Sequence, residues 1–255
     1  MKFDGLLLIS ISLFLLIFIQ RLLQKEIQII LLLLTGKPAL AIGIFSILLL
    51  PGVFIHEFSH LLMALILRVP IRKFSLIPEM GKNGKIRLGF VQTAKTDLIR
   101  DSLIGLAPFI SGLILLALIA TSQLGIIPII SDLLNDRTNI NIFKEIQNIF
   151  LVQDFGLWFY LAFAISTTMV PSESDRQSWK IIILVLALLF GLFLVAGLGN
   201  WMIVHIFPTI NQWFYSISFV LLGSVVVHFL ILLPSWVLRK IISMARQVTF
   251  FTTIM

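Results

Sequence analysis

Residues 38–67 form an apolar run with just three ionisable side chains, and all three fall within "HEFSH": His56, Glu57 and His60. A charge at the centre of a bilayer costs at least ~2.5–3.5 kcal/mol, so such a cluster persists only where something stabilises it. On a helix, positions i and i+4 share a face, so both imidazoles can be presented to one ion. Two histidines at that spacing, with a glutamate directly after the first, form a zinc-binding pattern. Glu57 then stands beside the open coordination position. There zinc polarises a carbonyl and lowers the pKa of water towards ~7, while a carboxylate shuttles protons. The ion also answers the electrostatic problem, because its charge offsets Glu57 and holds the histidines neutral.

The rest of the chain fits a membrane setting. It is 59% hydrophobic and 12% charged, against ~25% charged for soluble domains. There are no cysteines, which excludes disulfides, cysteine zinc sites and thiol nucleophiles. The formal charge of +7 does not point to nucleic acid, because the cations cluster between apolar runs.

Those runs are 5–19, 38–67, 98–120, 155–170, 179–199 and 212–236. They predict an all-α, multi-pass integral membrane protein of about six transmembrane helices, placed in the plasma membrane. The first run ends in "QRLLQKE" without a small-residue cleavage site, so it reads as a retained helix. Residues 20–36 alternate polar residues with leucines and are expected to lie along the interface. Pro51-Gly52 predicts a kink just before the histidines, since proline cannot bond the carbonyl of Ile47. Trp158, Trp179, Trp201, Trp213 and Trp236 near run ends fit an aromatic belt. The chain reads as a single domain over 1–255, with a core at 38–180 and additional helices over 181–255.

Residues 68–101 carry eight basic side chains against three acids, 171–180 add Arg176 and Lys180, and the tail adds Arg239, Lys240 and Arg246. Alternating assignment puts all three segments on the cytoplasmic side. Arg21, Lys25 and Lys37 fit this scheme less well, since they would face outward. Within the loop 71–97, "KFSLIPEM" and "IRLGFVQT" flank "GKNGK", which predicts a small cytoplasmic β-hairpin turning at Asn83-Gly84. Its edge can accept an extended substrate as an added strand.

A catalytic zinc takes a third protein ligand. Glu79, Glu145, Glu173, Asp175, His205 and His228 are the candidates. "TTMVPSESD" follows a span ending on the same side as the histidine helix, and Pro171 lets the chain fold a carboxylate back. Asp175 is the first choice and Glu173 the reserve. His228 reads as a buried neutral residue bonded to a neighbouring helix, and His205 as interfacial. Gly105, Ala107, Ser111 and Gly112 in "GLAPFISG" read as small residues that let this helix pack closely on the histidine helix.

Over residues 38–180 the chain resembles the site-2 protease family of intramembrane zinc metalloproteases. The resemblance rests on "HEFSH" in an early membrane helix, a hairpin-containing loop, "GLAPFISG", and a late helix ending near Pro171 and Asp175. It implies zinc held by His56, His60 and Asp175, with Glu57 as acid and base. It also implies cleavage of membrane-embedded or membrane-adjacent protein substrates. The chain departs from the family pattern in two places: Arg176 follows Asp175 where the family has glycine, and Thr167 and Thr168 stand where it has asparagine. The competing readings are a prenyl-protein-processing type of membrane metalloprotease, which would use Glu173, and a non-enzymatic metal-binding protein or metal transporter.

Overall fold

The computed structural model describes residues 4–80, 86–125, 147, 149–177 and 179–254. In chain order they form α1 (Asp4–Thr35), α2 (Pro38–Leu48), α3 (Leu50–Ile66), β1 (Ile71–Ser75), β2 (Glu79–Met80), β3 (Ile86–Arg87) and β4 (Phe90–Thr93). Then follow α4 (Leu98–Leu118), α5 (Phe155–Thr168), α6 (Trp179–Val195), α7 (Gly199–His205) and α8 (Phe207–Ile254). A wider π turn, Ile119–Gln123, continues α4.

The chain is mostly helical, and among the described residues three helices (α1, α4 with its π turn, and α8) are long and apolar enough to cross a membrane. The bent pairs α2–α3 (68°) and α6–α7 (112°) raise that number to five among the described residues if each pair is one span. The sixth expected crossing, around 155–170, is the 14-residue α5. At 1.5 Å per residue it covers ~21 Å, short of a ~30 Å hydrocarbon layer. The kink expected at Pro51-Gly52 falls at Leu49, between α2 and α3, with Pro51 in the first turn of α3, where a missing N–H is harmless.

Residues 20–36 do not form a separate interfacial segment. They continue α1 into one 32-residue helix, because their polar side chains find partners on other helices. The Gln20 amide donates to the Thr167 carbonyl, and Glu26 pairs with Arg239. Arg21 and Lys25 lie on the exposed face.

Helix α1 lies along α8, and the two run parallel. The Gly5 N–H donates to Asn211 Oδ1 at 3.0 Å near one end, and Glu26 meets Arg239 further on. Six alternating crossings would set the first and last helices antiparallel, so the alternating scheme does not hold as drawn. The parallel course requires an odd number of crossings from α1 to α8. Reporters fused at Asp4 and after Ala245 are therefore expected to report from opposite sides of the membrane. Six alternating spans would instead put both on the same side.

Pairing of β1 with β4 and of β2 with β3, both antiparallel, makes a bent hairpin. Phe74 faces Val91 and Ser75 faces Phe90, with a register irregularity between Ile71 and Lys73. The Asn83-Gly84 turn lies outside the described residues. Lys73 pairs with Glu79 at 3.2 Å and sits 4.8 Å from the centre of the Phe90 ring.

One core gathers Leu16, Leu116, Ile165, Met169 and Leu221; a second gathers Leu23, Phe45, Leu49, Val53 and Phe163. Helix α6 buries no residue and is apolar on every side, as suits a helix solvated by lipid. Asp97 caps α4, accepting the Arg100 N–H at 3.0 Å. That bond, more than the Arg100 charge, holds the Asp97 carboxyl below its ordinary value. Its folded pKa lies under the unfolded one, so its contribution is present above the unfolded pKa and is lost as pH falls through the folded one.

Candidate metal centre

Helix α3 carries His56 and His60 on one face, and their Nε2 atoms stand 3.2 Å apart. The His60 Nδ1 lies 2.8 Å from the Ile104 carbonyl of α4. A carbonyl only accepts, so the neutral ring carries its proton on Nδ1 and turns the Nε2 lone pair towards His56. His56 Nδ1 is buried and has no hydrogen-bond partner among the described residues.

The third group arrives from the loop after α5. The helix ends at Thr168, and Pro171 precedes a turn over Glu173–Gln177. Ser172 donates to Asp175 Oδ2 twice, from its backbone N–H at 2.7 Å and from its hydroxyl at 2.6 Å. So oriented, Asp175 Oδ1 lies 3.5 Å from His60 Nε2, and Oδ2 lies 3.8 Å from His56 Nε2. The three side chains are 8–15% exposed, and all three donor atoms fit within 4.8 Å of one another.

These spacings test the donor set. Tetrahedral coordination at the usual zinc bond lengths of ~2.0–2.2 Å separates ligand atoms by ~3.3–3.6 Å. The two Nε2 atoms are 3.2 Å apart, and each has a different Asp175 oxygen at 3.5 or 3.8 Å. With one oxygen taken as the donor, the three atoms lie within 4.8 Å of one another, close enough for the residues to hold a metal ion after a small turn of the carboxylate.

Glu57 is 6% exposed and lies under the hairpin. At Gly89, between β3 and β4, an added Cβ would stand 2.9 Å from Glu57 Cγ and 2.9 Å from Val53 Cγ1. Only glycine lets the hairpin backbone rest this close to α3. Similar close approaches assemble the rest of the site. A Cβ at Gly52 would run into the Ala164 backbone, and one at Gly105 into the Asp175 backbone.

The remaining candidates stand elsewhere. Glu173 is an exposed residue of the Asp175 turn, outside the cluster. Glu79 pairs with Lys73, and Glu145 lies outside the described residues. The His205 Nδ1 bonds the carbonyl of Trp201 at 3.0 Å, and His228 is bonded to Thr167 of a neighbouring helix at 3.0 Å. The small residues of α4 divide their contacts: Ser111 reaches Ser59 of the histidine helix at 2.6 Å, whereas Gly105 and Gly112 receive Asp175 and Met169.

Sequence reasoning missed Ser172 and Ile104. A serine three residues before an aspartate is a local hydrogen-bonding signal, so Ser172 was findable. A backbone carbonyl such as that of Ile104 leaves no mark in sequence. Outer partners of ligands typically contribute 10–100-fold in metal affinity, so Ser172→Ala is expected to weaken metal binding by roughly that factor. Competition with a chromogenic chelator measures it, and unchanged affinity would remove Ser172 from the site.

Comparison of the chain with protein-family models, with curated proteins and with solved structures finds no match in any of the three.

Proposed function

We propose that this chain is a zinc-dependent endopeptidase that hydrolyses peptide bonds within or beside the membrane. His56, His60 and Asp175 hold the ion, and Glu57 is the catalytic acid and base. The observation that carries this reading is the convergence of His56, His60 and Asp175, with the buried Glu57 following His56 in the chain. The resemblance of residues 38–180 to the site-2 protease family adds to it. Asp175, rather than Glu173, belongs to the cluster, which favours this type over the prenyl-protein-processing one.

Zinc, when bound, supplies a Lewis acid for the scissile carbonyl and an acidified water. Ile104 keeps His60 in the tautomer that ligates, and Ser172 keeps a carboxylate oxygen of Asp175 turned to the imidazoles. Glu57 takes the proton of the attacking water and returns it to the leaving amine. The substrate is a membrane protein that unwinds locally, because helical amides are sequestered in their own hydrogen bonds. The edge of the β1–β4 pair offers an unwound stretch a strand to lie against.

For orientation, we place the hairpin loop, residues 171–178 and the basic end of α8 in the cytoplasm. The parallel course of α1 then carries Arg21, Lys25 and Lys37 to the same side as Arg239 and Lys240. This removes the misfit of those three cations.

Purified protein is expected to carry about one zinc per chain and to cut a membrane-spanning test protein in detergent, with chelation stopping the cut. Tight zinc binding without cleavage of any substrate would favour the non-enzymatic reading. A transporter would need further ligating groups along a path, and among the described residues the one cluster of this kind is His56, His60 and Asp175.

A further inference from the structure

His228 is fully buried in α8 and takes no part in the chemistry above. Its Nδ1 lies 2.8 Å from the Ser224 carbonyl, so that nitrogen carries the proton. Its Nε2 lies 3.0 Å from the Thr167 hydroxyl, in the last turn of α5. The same residue is held from the other long helix, where the Gln20 amide of α1 donates to the Thr167 carbonyl. Thr167 is 3% exposed and Gln20 9%, so bulk water is poorly placed to substitute for either bond.

A helix C-terminus leaves its last carbonyls without intrahelical partners. Here one of them is satisfied by a side chain from α1. The Thr167 hydroxyl has two acceptors within reach, Phe163 O at 2.6 Å and His228 Nε2 at 3.0 Å. The Phe163 ring also packs on the imidazole, 5.6 Å between centres. The α1–α8 pair thus grips α5 where the helix stops. Beyond that point the chain runs through Met169 and Pro171 to Asp175.

We infer that His228 and Gln20 are positioning residues, which fix the end of α5 through Thr167 and thereby set where Asp175 meets the two imidazoles. The clamp stands on its own geometry; its consequence for metal affinity rests on the metal reading above. Without His228 the Thr167 hydroxyl bonds only within its own helix, to Phe163 O, so α8 no longer holds the end of α5 through it and the segment loosens.

The test compares wild type with Thr167→Val, His228→Phe and the milder His228→Gln, and uses two readouts. The first is amide hydrogen exchange over residues 169–177, which requires no metal. Thr167→Val and His228→Phe are expected to speed exchange there while α3 and α4 keep wild-type protection; His228→Gln, which can still bond Thr167, is expected to restore it. Unchanged exchange in the first two variants overturns the proposal. So does acceleration spread evenly over the whole protein in every variant, His228→Gln included, since this would mark general destabilisation. The second readout is metal affinity by chelator competition. Thr167→Val and His228→Phe are each expected to bind about tenfold more weakly, and the double variant no more weakly than either alone, since both act through one contact. Faster exchange with unchanged affinity overturns the link to Asp175. A wild type that binds no metal fails the metal reading, while the exchange result still decides the clamp.

Discussion

Replacing Glu57 by glutamine is expected to abolish cleavage and leave the metal in place. The substitution retains volume and much of the hydrogen bonding but removes the group that accepts a proton. General acid–base catalysis contributes typically 10²–10⁴-fold, so the cleavage rate should fall by ~10²-fold or more. Glu57 is not one of the three converging donors, so zinc content should stay near one ion per chain. The measurement is cleavage of a membrane-spanning substrate in detergent, with metal analysis of the same preparation. A Glu57→Gln protein that cuts as fast as wild type would sink the mechanism.

Asp175→Ala should lose the metal and the activity together. One of three donors disappears, which exceeds the roughly 10–100-fold weakening caused by losing an outer partner. His56→Ala should behave alike. Glu173→Ala is the control: its side chain is exposed in the same turn and outside the cluster, so its zinc content should match wild type. The opposite pattern, with zinc kept in Asp175→Ala and lost in Glu173→Ala, would transfer the third ligand to Glu173 and revive the prenyl-protein-processing reading.

What was legible in the sequence followed from local rules. The i, i+4 spacing needs only a helix, and both histidines duly share a face of α3. Pro171 forbids continuation of α5, and the chain does turn an aspartate back towards α3. What was not legible depended on partners distant in the chain. "QRLLQKE" looks interfacial because its polar groups have no nearby acceptors; Thr167 lies 147 residues from Gln20, and Arg239 is more distant still from Glu26. The parallel course of α1 and α8 could not be read from alternating charge, which assumes that every apolar run crosses. The small residues of α4 correctly signalled close approach but not its object, because a glycine does not name what rests on it.

Two consecutive residues of α4 touch two different members of the candidate metal cluster. The Ile104 carbonyl holds the His60 ring, and Gly105 receives the Asp175 backbone. Helix α4 therefore acts as a jig, holding one member of the cluster from α3 and another from the loop after α5. A displacement of α4 would thus disturb both groups at once.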